Sequence, residues 1–219
     1  MPKLVEALER LGDCMRALLL LVVAAPLMAQ VHFQKNYVTV GAGAGLPSGQ
    51  LSGLFANAGG VGVGYGYRFQ KNLQADVGFE TLFGAAGVRD SLNTEIGFAR
   101  IRDRQYFLPF GGRAILPLGE GRVLLSLGGG GAYLRYSERL KQLSAYYKIQ
   151  CPDCSSRSGW GAYALASASY AIDHYQMFRL GVTAKAYRAH TDGAALGLVP
   201  GIETRDRWIS LFANFTVSF

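Results

Sequence analysis

Ile209-Ser-Leu-Phe-Ala-Asn-Phe-Thr-Val-Ser-Phe219 is the stretch that decides the fold. Ile209, Leu211, Ala213, Phe215, Val217 and Phe219 alternate with Ser210, Phe212, Asn214, Thr216 and Ser218. A period of two puts the two sets on opposite faces of an extended strand. One face is apolar enough to meet hydrocarbon, and the other, apart from Phe212, is polar enough for an interior. The alternation predicts a membrane-spanning barrel strand.

Working outward, seven further segments carry the same signal. The predicted strands are 36–44, 61–69, 73–83, 105–116, 122–136, 160–171, 177–189 and 207–219. The second sets Val61, Val63, Tyr65, Tyr67 and Phe69 against Gly62, Gly64, Gly66 and Arg68. The third sets Leu73, Ala75, Val77, Phe79, Thr81 and Phe83 against Gln74, Asp76, Gly78 and Glu80. The seventh sets Phe178, Leu180, Val182, Ala184 and Ala186 against Arg179, Gly181, Thr183 and Lys185. Short connections at 70–72, 117–121 and 172–176 alternate with long ones at 45–60, 84–104, 137–159 and 190–206. That alternation predicts short periplasmic turns and long external loops, with both ends of the barrel chain on the short-turn side.

No apolar run after residue 29 is long enough to span as a helix, so the backbone can satisfy itself in lipid only by closing a sheet. The expected fold is all-β, an eight-stranded antiparallel up-and-down transmembrane barrel. Twenty-nine glycines among 219 residues suit so narrow a cylinder, where large inward side chains must face small ones. The predicted interior holds Arg68, Asp76, Glu80, Arg113, Arg179 and Lys185, and charges confined there should pair with one another or with water. The bland reading of that cluster is a structural plug; the sharper one is a narrow path favouring anions, because cations outnumber carboxylates.

At the other end, Arg16 precedes the apolar run Ala17–Met28, followed by Ala29-Gln30. The run is too short to span and reads as a secretory signal over residues 1–29, leaving 30–219 as one barrel domain. Met15-Arg16 is an alternative start to Met1. Cleavage removes three basic and three acidic residues, so the net charge stays +7.

The long loops are where a specific function would sit. Cys151-Pro-Asp-Cys154 holds the two cysteines left after cleavage. In an oxidising compartment a loop disulfide is the first expectation; half a zinc site competes weakly, since no second Cys pair or close His pair completes it. Basic residues crowd the loops: Arg89, Arg100, Arg102 and Arg104, then Arg139, Lys141, Lys148 and Arg157, then Arg205 and Arg207. They suit the phosphates of an anionic leaflet, although solvated loops without a partner are the plain alternative. Tyr133, Tyr136, Tyr146, Tyr147 and Trp160 are expected in an interfacial aromatic girdle, with Tyr146-Tyr147 open to loop contacts instead. Nothing in the chain points to a cofactor or to nucleic acid.

With its signal, eight alternating strands, four long loops and final Phe, the chain resembles the small outer-membrane barrels of the OmpA and OmpX type over nearly all of 34–219. The resemblance implies a bacterial outer-membrane location after secretion, and marks Phe215, Val217 and Phe219 as the signal read by the barrel-assembly machinery. It implies little about activity. The leading expectation is a structural or surface-interaction protein whose loops contact lipopolysaccharide or another partner. A narrow anion-preferring pore is the alternative. A lipid A-modifying enzyme is the third reading, with His190, which sits with Asp192 at the start of the fourth loop, the first residue to test.

Overall fold

The structure, a computed structural model, describes residues 34–53, 55–83, 91–94, 97–140, 156–193 and 203–219. Its strands are β1 (Asn36–Ser48), β2 (Ala58–Gln70), β3 (Leu73–Phe83), β4 (Ser91–Thr94), β5 (Gly97–Leu118), β6 (Val123–Leu140), β7 (Ser156–Ala171), β8 (Phe178–Gly193) and β9 (Glu203–Ser218). Every strand but β4 pairs antiparallel with its chain neighbours around the wall, β3 pairing with β5. β9 closes the ring on β1, and β4 forms a hairpin with the start of β5. The wall is therefore the expected closed, eight-stranded, up-and-down barrel. The predicted signal segment and Cys151 and Cys154 lie outside the described residues.

Most strands run further than their apolar pattern. β5 begins at Gly97 rather than Gln105, β9 at Glu203 rather than Arg207, and β1 continues to Ser48. Past the bilayer the outer face meets water and the inner face holds polar groups such as Thr191 and Asp206, so the alternation fades while the hydrogen-bond ladder continues. The long loops are correspondingly shorter than expected, and the one after β3 contains the β4 hairpin.

Register fixes the barrel's width. Paired residues lead from Ala114 through Leu127, Ala166, Ala184, Leu211, Ala44, Gly59 and Phe83 back to β5 at Arg104, a stagger of ten residues. Strands about 4.8 Å apart, rising about 3.3 Å per residue with that stagger, tilt by about 40° around a backbone cylinder of about 8 Å radius. Such a cylinder is filled by side chains.

The faces fall as the alternation requires. Val61, Val63, Tyr65, Tyr67, Phe69, Val77, Phe79, Leu180, Val182, Leu211 and Phe219 are exposed on the outer wall, whereas Arg68, Glu80, Arg179 and Phe212 are buried. Thr81, expected outside, is buried opposite Tyr106. Pro109 sits within β5 and cannot donate to a ladder; the β3–β5 pairing skips it and Leu108.

At the short-turn end the chain terminus is tied to β1 by paired backbone bonds between Asn36 and Phe219, 2.9 and 3.0 Å. Asp173 holds the turn after β7 by accepting the backbone N–H groups of Met177 at 3.0 Å and Phe178 at 2.8 Å. Desolvation pushes this carboxyl upward, but the backbone bonds outweigh it and hold its pKa below the usual carboxylate value.

Candidate functional site

All six predicted interior charges point into the barrel, and four form two pairs. Arg113 on β5 grips Asp76 on β3 through Nε to Oδ2 at 2.6 Å and Nη2 to Oδ1 at 2.8 Å. Gln74 donates to the same carboxylate at 2.6 Å. Lys185 on β8 reaches across the barrel to pair with Glu80 on β3, whose second oxygen accepts the Tyr187 hydroxyl at 2.9 Å. Each carboxylate thus has a cation and a further donor, the arrangement a buried ion needs.

Arg68 and Arg179 lie at the short-turn end. The Arg68 guanidinium lies 4.5 Å from the centre of the Tyr37 ring. Arg179 Nη2 donates to the Gly121 carbonyl at 2.8 Å and to Gln176 Oε1 at 3.1 Å, clamping two turns together. Between these arginines and the two ion pairs lies a cavity of about 110 Å³ that Thr39, Asn214 and Thr216 also line.

Above the ion pairs the interior turns aromatic. Phe107, Tyr136, Tyr187 and Trp208 pack together with ring centres 5.1–6.5 Å apart, and Trp208 Nε1 donates to the Tyr136 hydroxyl at 2.9 Å. The first external loop enters this mouth: Leu51 and Phe55 are buried, and Phe55 stacks on Tyr136 at 5.6 Å. Arg157 folds over Phe55 and Tyr136, at 5.3 and 4.6 Å, and donates to Thr204 Oγ1 at 2.9 Å. Asp206, fully buried, accepts from Thr191 at 2.7 Å and Thr204 at 2.6 Å. The mouth is stoppered by rings and roofed by a polar network.

Two expectations change here. Tyr136 belongs to the plug rather than to the girdle, because it lies two residues from Leu134 and four from Ala132 on the buried, inward face of β6. Arg157 turns inward and is not a free loop cation. Trp160 is 65 % exposed and packs against Tyr133 at 5.1 Å and Phe110 at 6.1 Å, forming the outward aromatic band. Tyr146, Tyr147, Arg89, Lys141 and Lys148 lie outside the described residues.

The outer rim carries the remaining charge. Arg188 on β8 and Arg207 on β9 are direct cross-strand partners, both exposed on the outer wall. The rung below them on that face is Ala186 and Ile209, followed by Ala184 and Leu211; the rung above is His190 and Arg205. Neither guanidinium has a carboxylate partner among the described residues. Like charges directly opposed on a sheet are unfavourable on their own, so this pair is suited to an anion at the edge of the apolar band. Arg104 and Arg135 are exposed as well. The pattern missed Arg188 only because the strand's apolar alternation stops at Ala186; its parity already assigned it outward.

His190 Nε2 lies 3.2 Å from Asp192 Oδ1 and 2.8 Å from Glu203 Oε1. Among the described residues no serine hydroxyl contacts it. His174 lies in the turn after β7.

These observations define the architecture that known structures share. Neisserial surface protein A is 18 % identical, covering 84 % of this chain and 97 % of that one with a TM-score of 0.56. OprG, an outer membrane protein from Pseudomonas aeruginosa, is 11 % identical, covering 88 % and 99 %, also with a TM-score of 0.56. The fold is that of the small outer-membrane barrels. At these identities the likeness extends to the fold alone. No protein-family model matches the chain, and no curated protein matches it in sequence.

Proposed function

We propose that this outer-membrane barrel is a sealed surface protein whose external rim engages phosphate groups of lipopolysaccharide. The carrying observation is the Arg188–Arg207 pair, two opposed guanidiniums with no carboxylate partner among the described residues, directly above outward Ala186 and Ile209. A guanidinium offers forked donors that match phosphate oxygens, and the headgroup level of the outer leaflet is where lipid A phosphates sit. Arg205, Arg104 and Arg135 extend the basic rim. The stoppered mouth supports a role at the surface over passage through the wall.

Lipopolysaccharide retained by the protein after extraction tests the reading. R188A/R207A is expected to lower retention about tenfold, from two lost charge-assisted contacts, while E80Q/K185M, changed only inside the barrel, leaves it unaltered. Equal retention in both variants would remove the rim from the account. Phe215, Val217 and Phe219 face outward at the strand end beside the short turns, which supports their proposed reading by the assembly machinery. Unchanged lipid A mass spectra with and without the protein are expected, against an enzymatic role for His190.

A further inference from the structure

Where β8 and β9 rise past the apolar band, one small surface collects His190, Asp192 and Glu203. His190 and Asp192 lie two residues apart on β8, hence on one face, and Glu203 is the direct β9 partner of Asp192. Their ligand atoms all lie within 4.8 Å of one another, with the imidazole nitrogen 2.8 and 3.2 Å from the two carboxylate oxygens. Ligands about 2.0–2.2 Å from one tetrahedral zinc ion stand roughly 3.3 Å apart, so the spacing needs only small rotamer changes. The three side chains project from a continuous two-stranded ladder, which sets their directions.

A second observation concerns charge. Asp192 and Glu203 are carboxylates placed directly opposite each other, an arrangement that repels. The one described group within ion-pair distance of both is the imidazole, a cation only when protonated. Arg205 pairs directly with His190 across the ladder, yet makes no ion pair with either carboxylate among the described residues.

We propose that His190, Asp192 and Glu203 form a surface site for a divalent transition-metal ion of the zinc class. One imidazole nitrogen with two carboxylate oxygens suits such an ion better than calcium or magnesium, which take oxygen ligands. Three protein ligands leave a coordination position open outward, to water or to a headgroup oxygen. The groups facing His190 are Arg205 on β9 and Trp160 on β7, with Arg188 and Arg207 one rung below. The arginines weaken the site without blocking it. The site is independent of phosphate binding at the arginine pair.

Cobalt(II), titrated into the protein purified from outer membranes, tests this. The two tryptophans separate the signal, since Trp208 is sealed in the plug and Trp160 neighbours His190. One equivalent of cobalt is expected to produce a visible absorption band and quench Trp160 fluorescence, and zinc should displace it. H190A, D192N and E203Q should each weaken binding by about tenfold or more, given that even a supporting contact is worth that much. C151S/C154S and H174A should bind as the parent does. Heat-dependent gel mobility confirms that each variant is folded. No saturable binding, or binding that survives H190A, overturns the proposal; the R188A/R207A retention measurement is unaffected by either result.

Discussion

Glu80 accepts from Lys185 and from Tyr187, and it is buried between β3 and β8 on opposite sides of the barrel. Removing one charge of that pair strands the other in a wall with little water. E80Q or K185M alone should therefore destabilise the barrel by roughly 3–5 kcal/mol, and E80Q/K185M by much less, as read by urea unfolding in lipid vesicles. Equal losses in single and double variants would mean that the pair is solvated. The six interior charges were legible from residue parity, because Arg68 and Glu80 interrupt apolar strands on the same alternate face. Which carboxylate meets which cation was not legible, since pairing across the lumen depends on the stagger. The plug residue Phe55 carried no signal either: it lies in a loop, where period two says nothing.

At the scale of elements, β5 and β6 run against each other through Gly111, Gly112 and Gly128 to Gly131. A Cβ added at Gly111 would lie 2.2 Å from the Gly129 carbonyl oxygen and 2.8 Å from Gly130 Cα, both backbone. Neither can rotate away, so the strands themselves would have to separate. G111V should cost about 1–3 kcal/mol or more and reduce the yield of heat-shifting barrel on refolding; a normal yield would contradict the close approach. Strand positions were readable wherever one face met lipid, as in Val61 to Phe69. They were unreadable at the outer ends of β5, β8 and β9, where Arg102 to Arg104, His190 to Asp192 and Glu203 to Arg205 are polar on both faces. Pro109 shows the converse: a strong local signal against a central strand, overridden because β3 skips that rung.

For the whole molecule, the interior of a barrel of about 8 Å radius holds two ion pairs and, above them, the rings of Phe107, Tyr136, Trp208 and Phe55, which supports the proposed sealed barrel. Planar-bilayer recordings of the refolded protein should show no discrete openings; steady anion-selective openings altered by R113A would favour the pore. All of this rests on closure of the wall between the first and last strands. Val40 and Phe215 are direct partners there, both on the outer face. Oxidation of V40C/F215C in isolated outer membranes, in a C151S/C154S background, measures that closure by mass spectrometry of the linked peptides. An efficient V40C–F215C crosslink is expected, and a much weaker one for V40C/V217C, one rung displaced. No crosslink, or equal yields for the two pairs, would contradict a barrel closed in this register.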